Sequence, residues 1–247
     1  AHARVYINGS YSGLYAITEE VDKRFIKSHF DDDDGNLYEE IWPLTNDTLV
    51  PDDSVFLNPE YLQTNEDENP SADIIRGFGA SVVAAESDSA LMRSIEQWMN
   101  IDEIITFAAV SRTIKADDGP FLWDRKKTGL VKNKNYFWYE ETAAQKMHLI
   151  PWGLEDAFDN LDELAEYRDT YIRWHWFDED APCDSRSVAL YGQRPARCDK
   201  LTYGWMLYDT LFKEKLRVFR NGPLAKADEM IDVWVTQLLR PTEDAVQ

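Results

Sequence analysis

Residues 114–160 read IKADDGPFLWDRKKTGLVKNKNYFWYEETAAQKMHLIPWGLEDAFDN, and the order of elements in this stretch decides the fold. Asp117-Asp118-Gly119 follows a helical pattern, Asn135 opens an aromatic strand, and Glu155-Asp156 follows a second strand. The two strands, Asn135 to Glu140 and Lys146 to Pro151, are adjacent and joined by the polar turn Glu141 to Gln145. A carboxylate, an amide oxygen and another carboxylate, each at an element boundary, are suited to holding a divalent metal and orienting a hydroxyl. Phosphoryl transfer needs that equipment, because positioning and charge neutralisation supply most of its catalysis. Singly, each residue also has an ordinary reading. Asp118 before Gly119 suits a turn, Asn135 can close the Lys132-Asn133-Lys134 turn, and Glu155 and Asp156 can be solvated acids at a strand exit.

Working outward, Ser89 to Met99 places Leu91, Ile95 and Trp98 at helical spacing. A second helix runs from Asp102 to near Lys115, with Ile101, Ile104, Ile105 and Ala108 on one face. Residues 4–18, RVYINGSYSGLYAIT, predict a β-hairpin: Val5 and Ile7 alternate with Tyr6, a turn-rich Asn8 to Gly13 follows, and Leu14 to Thr18 return. A short amphipathic helix carrying Phe25, Ile26 and Phe30 comes next. The acidic run Asp31 to Asp34 with Gly35 invites a calcium-loop reading, but that register puts Phe30 and Ile41 at ligand positions, so a solvated turn is expected. Residues 42–73 read as loop or mobile insertion, and 160–200 as irregular and acidic. Two closing helices follow, one marked by Tyr208, Phe212, Leu216 and Phe219. The other is marked by Ile231, Trp234, Val235 and Leu238 and is expected to stop at Pro241. No internal repeat is visible. Hairpin, helices, two strands, helices: the fold class is α+β.

With 26 basic against 46 acidic side chains the net charge is −20. Such a field repels phosphate backbones and anionic membranes, so a nucleic-acid partner and membrane insertion are not expected. Nor does any apolar run approach the about 18 residues of a span. Ala1 begins without a basic, apolar signal region, so any targeting segment is expected to be gone already. Cys183 and Cys198, in a polar loop containing proline, suit a disulfide better than a zinc site, with two thiols as the alternative. Asn8-Gly9-Ser10 and Asn46-Asp47-Thr48 match the glycosylation triplet, a weak signal.

Helix, Asp-Gly, loop, strand-opening Asn, strand, turn, strand, acid is also the order in a protein kinase. There the catalytic loop supplies an Asp and a metal-binding Asn, and the next hairpin delivers a metal-binding Asp. At these residues the sequence resembles the CotH kinase family, over most of the chain. VYINGSYSGLYAITEEVDKRFIKSHF is similar to the family's hairpin stretch, and MNIDEIITFAAVSRTIKADDG to its helix leading into Asp-Gly. KNYFWYEE and MHLIPWGLEDAF resemble its Asn-Tyr-aromatic strand and its Pro-Trp motif, and Cys198-Asp199 resembles a later Cys-Asp.

The resemblance implies an atypical protein-kinase-like fold in one domain spanning 1–247. An incomplete small lobe and hinge would occupy 1–40, a loop-rich insertion 41–85, and a mostly helical large lobe 86–247. It implies transfer of phosphate from ATP to Ser or Thr of a coat or secreted protein substrate, with Mg²⁺ or Mn²⁺, outside the cytoplasm. Asp118 would be the catalytic base, with Asp117 as the near alternative. Asn135 and Glu155 would bind metal, with Asp156 as a substitute, and the backbone at Glu20, Val21 and Asp22 would receive adenine. The family's earlier strands, with the phosphate-binding Lys and its Glu partner, would precede Ala1, so the chain is expected to be a fragment. Departures from the family pattern are Glu39 where Lys is common, Gly153 where Asp often follows Pro-Trp, and Glu155 for Asp. They support the alternative of an inactive pseudokinase or a structural coat or cell-surface module. A third reading, glycan binding through Trp174 and Trp176, is weaker than their use as loop anchors.

Overall fold

The computed structural model describes residues 2–45, 49–65, 69–114, 116, 118–121, 123–125, 131–154, 157–158, 193–194 and 196–246. The chain divides into two compact units, Ala1–Val21 with Arg217–Gln247, and Asp22–Leu216.

In the first unit, β1 (His2–Ile7) and β2 (Ser10–Ala16) pair antiparallel with Ile7 opposite Ser10. Asn8 and Gly9 both take positive φ, the two-residue turn that an Asn-Gly pair favours. The turn is tighter than the sequence suggests, and Ser10 to Gly13 belong to the strand. The C-terminal helix packs on β2. That helix, Ala227–Val246, continues through Pro241, where a stop is expected. A proline removes one helical hydrogen bond without obliging the helix to end.

The second unit holds α1 (Lys23–His29), β3 (Leu37–Glu39), α2 (Asp53–Phe56), α3 (Asp73–Ala84), α4 (Asp88–Trp98) and α5 (Ile101–Thr113). There follow β4 (Trp123–Arg125), β5 (Val131–Lys132), β6 (Tyr136–Glu141), β7 (Lys146–Pro151), β8 (Gln193–Arg194) and α6 (Lys200–Met206). Helix α7 (Asp209–Asn221) crosses the division between units, and the C-terminal helix is α8. Two small antiparallel sheets form here, ordered β3-β6-β7 and β5-β4-β8. Helices mixed with small antiparallel sheets make the fold α+β.

Described parts of 42–73, read as loop or mobile insertion, belong to the core. Trp42, Leu44, Phe56 and Leu62 are buried in the core, and Leu62 bridges to Tyr38 beside β3. Helix α3 lies within the stretch read as loop-rich. Ile75, Phe78 and Val82 do recur at helical spacing and are fully buried. Gly77 and Gly79, poor helix formers, mask the pattern in sequence. Both are needed for close packing: a Cβ would lie 2.9 Å from Trp98 at Gly77 and 2.5 Å from the Pro43 carbonyl at Gly79.

Trp42 is the hub of this core, its ring edge-on to Trp123, Tyr136 and Trp205 and tilted against Trp138. Its indole N–H donates to Asp199 Oδ2 at 2.9 Å. The other Asp199 oxygen caps α6 through Thr202 N–H at 2.7 Å. The Cys198-Asp199 motif thus ties a helix to the aromatic core. Cys198 is buried and Cys183 lies outside the described residues, as do Trp174 and Trp176.

Candidate active site

Helix α5 brings the chain to Asp118, and its end is fastened by the Ala116 N–H donating to Ser111 O at 3.0 Å. Asp118 then meets the segment that opens β6. The four residues Lys132-Asn133-Lys134-Asn135 are each committed to this corner. Lys134 Nζ lies 2.7 Å from Asp118 Oδ1. Asn135 Nδ2 donates to the Asp118 carbonyl at 2.8 Å. Asn133 is 1% exposed; its Nδ2 donates to Pro120 O at 2.9 Å, and its Oδ1 accepts from the Tyr136 hydroxyl at 3.0 Å. Lys132 Nζ reaches Glu40 Oε2 at 2.7 Å.

Asn135 stands at φ 60°, left-handed, a conformation that costs a non-glycine residue about 1 kcal/mol or more and persists only where neighbours enforce it. Three bonds enforce it. Its N–H donates to Glu40 Oε1 at 2.8 Å, its C=O accepts from Trp152 N–H at 3.2 Å, and its side chain holds the Asp118 carbonyl. Opposite it sits Gly153 at φ 62°, where an added Cβ would come within 2.7 Å of Asn135 Cγ. Gly153, a departure from the Pro-Trp motif, is therefore the seat of the Asn135 amide.

The electrostatics are balanced locally. Burial alone would push the Glu40 carboxyl up, but the Asn135 N–H and the Lys132 ammonium together hold it below the usual range. Glu39 is pushed up by burial and then by the Glu40 charge. Two oxygens are left with no hydrogen bond among the described residues, Asp118 Oδ2 and Asn135 Oδ1. One is a carboxylate acceptor able to orient a hydroxyl; the other is an amide oxygen of the kind hard divalent cations accept. The donor chemistry at this corner therefore fits a divalent metal in part. Among the described residues no group of three His, Cys, Asp or Glu side chains is placed to hold one. Glu155 and Asp156, expected as ligands, and Asp117 lie outside the described residues.

The segment expected to receive adenine precedes α1. Glu20 is exposed and Val21 buried, both outside helices and strands. The Asp22 carboxylate is engaged as the N-cap of α1, accepting from the N–H groups of Arg24 and Phe25. A cavity of about 580 Å³ lies between α5 and β7, bounded by Phe107, Val110, Ile114, Leu149, Pro151 and Leu154.

Asp118 and Asn135, picked out by order alone, do come together. Glu40, Lys132 and Lys134 are the participants that sequence reasoning missed. The run Lys132-Asn133-Lys134-Asn135, four polar residues just before an aromatic strand, was the available signal. Nothing local announces Glu40, because Glu is not a residue that favours positive φ. Among curated proteins, none matches the chain. The family profile described as CotH kinase protein does, over residues 1–215, and so spans the hairpin, the Asp118 turn, the Asn135 strand and the Cys198-Asp199 cap. The chain belongs to the CotH kinase family.

Proposed function

We propose that the chain is a metal-dependent protein kinase that moves the γ-phosphoryl group of ATP to a Ser or Thr hydroxyl of a coat or secreted protein. The observation that carries this reading is the 2.8 Å bond from Asn135 Nδ2 to the Asp118 carbonyl, which joins the two residues that the sequence order pairs. Asp118 Oδ2 would receive the acceptor hydroxyl, orient its oxygen in line with the γ-phosphorus, and take its proton as the new P–O bond forms and the bond from the γ-phosphorus to the bridging oxygen breaks, releasing ADP. Lys134 keeps that carboxylate pointed, through its ion pair with Oδ1. Asn135, with Glu155 and Asp156, would hold Mg²⁺ or Mn²⁺. The metal supplies neutralisation of the phosphate charge when bound. The backbone at Glu20 to Asp22 would receive the adenine. The family's association with spore coats supports a site of action outside the cytoplasm. Among the described residues no helix is long and apolar enough to cross a membrane.

The 2.7 Å Lys134–Asp118 pair also favours a second reading, a pseudokinase or structural module in which the corner only braces the fold. Incubation with radiolabelled ATP and Mn²⁺, using the chain itself and casein as acceptors, separates the two. The wild-type chain should incorporate label, and Asp118→Ala should lose about 10³-fold while remaining folded, the scale of a lost general base. Full incorporation in Asp118→Ala would overturn the assignment.

A further inference from the structure

We infer that Glu40 is a positioning residue for the proposed phosphotransfer site, fixing the backbone of Asn135 and through it the direction of the Asn135 amide oxygen. The inference rests on the kinase reading for its functional meaning and on geometry for its substance. Glu40 follows β3 directly and chelates the opening of β6 from both sides. Its N–H donates to Tyr136 O at 3.1 Å, while its Oε1 accepts from Asn135 N–H at 2.8 Å. Its other oxygen is occupied by Lys132 at 2.7 Å, so the carboxylate cannot swing away without breaking an ion pair.

Both partners are strained in the same sense, Glu40 at φ 48° and Asn135 at φ 60°. Left-handed non-glycine residues relax to ordinary backbone unless over-determined. Here each holds the other, across 95 residues of chain. The consequence falls on the side chain. Asn135 Nδ2 is spent on Asp118 O, and Gly153 closes the opposite side at a distance that would not admit a methyl group. With the backbone fixed by Glu40, a single direction remains for Oδ1. Without that acceptor, the Asn135 N–H loses its partner and the left-handed turn loses one of its three restraints. The amide oxygen is then free to turn from where a cation would need it. Partners of this kind behind a ligand commonly change metal affinity by about 10- to 100-fold.

The test compares Glu40→Gln, which keeps an oxygen for the Asn135 N–H and loses the charge, with Glu40→Ala, which loses both. Free Mn²⁺ is followed by electron paramagnetic resonance during titration in the presence of ATP. Half-saturation should rise about 10-fold or more in Glu40→Ala and return to within about threefold of wild type in Glu40→Gln. A residue that merely supports the fold would lower the thermal midpoint and leave the Mn²⁺ dependence unchanged, and that result would overturn the proposal. If the wild-type chain binds no Mn²⁺ with ATP, the kinase reading fails by itself. The positioning claim is then decided by nuclear magnetic resonance: the Asn135 backbone amide should exchange with solvent about tenfold faster in Glu40→Ala, the opening of one restraint. An unchanged Asn135 amide overturns it. Should the alanine variant not fold, Glu40→Asp withdraws the acceptor by one methylene, keeps the charge, and carries the same readouts.

Discussion

Glu40, partly exposed, and Glu140, buried, stand at opposite ends of the same β3–β6 pairing, and they behave in opposite ways. Glu140, 2% exposed, accepts from the Tyr38 hydroxyl at 3.0 Å and from Ile75 N–H at 2.9 Å, and no cation faces it among the described residues. Burial outweighs those bonds and pushes its carboxyl up to about 7. Glu40 is less buried, and a lysine and a backbone N–H at 2.7 and 2.8 Å hold it down and charged. The difference shows what a shared cation does. With one, a buried carboxylate is a fixed charge that can order a site. Without one, it acts as a hydrogen-bond acceptor within the fold. Glu140 fills that second role: α3 begins at Ala72, which has no capping side chain, and Glu140 caps the helix from another strand.

The contrast can be broken in several ways, the largest effect first. Glu140→Ala should lower stability by about 4 kcal/mol in urea unfolding, since it strands a buried hydroxyl and a helix N–H. A variant as stable as wild type would show that Glu140 caps nothing. Next is pH. The folded Glu140 pKa is raised from 4.5 to about 7, so the folded state holds the proton more tightly. Its contribution is fully present below the unfolded value and is lost as pH rises through about 7, a change of about 3 kcal/mol that Glu140→Gln should remove. Glu40, with a depressed value, works in reverse: its contribution is present above the ordinary carboxylate range and is lost as pH falls through its folded pKa in acid. Urea melts between pH 4 and 8 on wild type and Glu140→Gln would sharpen or erase the distinction.

Smaller effects are expected near the site. Gly153→Ala imposes a positive φ on alanine and sets a methyl group against Asn135, so a loss of about 2 kcal/mol is expected, with Mn²⁺ affinity falling alongside. Affinity untouched in a stable Gly153→Ala chain would separate Gly153 from the amide. Lys132→Met, which removes a half-exposed ion pair, should cost less than about 1 kcal/mol and raise the Glu40 pKa toward its ordinary value. No change in the Glu40 carboxyl chemical shift titration would mean the lysine is not what holds it charged.

Much of this was legible where the signal is local. Asn8-Gly9 announces its hairpin, and Leu91, Ile95 and Ile105 announce α4 and α5 by period. In the acidic run 31–34, Asp32 is partly buried and its carboxylate accepts from Asp34 and Ala143 N–H; Gly35 is required by close approach, its Cβ falling 1.6 Å from the Glu140 carbonyl. What escaped is long-range. Glycines in α3 weaken a helical signal that only burial against Trp98 and Pro43 explains. Helix α6 falls between the stretch read as irregular and the first closing helix, and its cap comes from Asp199, already bonded to a distant Trp42. Order found Asp118 and Asn135. The Asn135 N–H bonds Glu40 across 95 residues, a contact with no local pattern.

The most direct measurement is paramagnetic broadening by Mn²⁺ in the presence of a non-hydrolysable ATP analogue, read on backbone amide resonances of the full chain. Broadening falls steeply with distance from the ion, so the first signals lost mark its ligands. The account predicts that Asn135 and Gly153 disappear first, with Asp118 following, and that Asn135→Ala abolishes the pattern. Uniform broadening, or loss centred elsewhere with Asn135 intact, would contradict a phosphotransfer site at the Asp118–Asn135 corner.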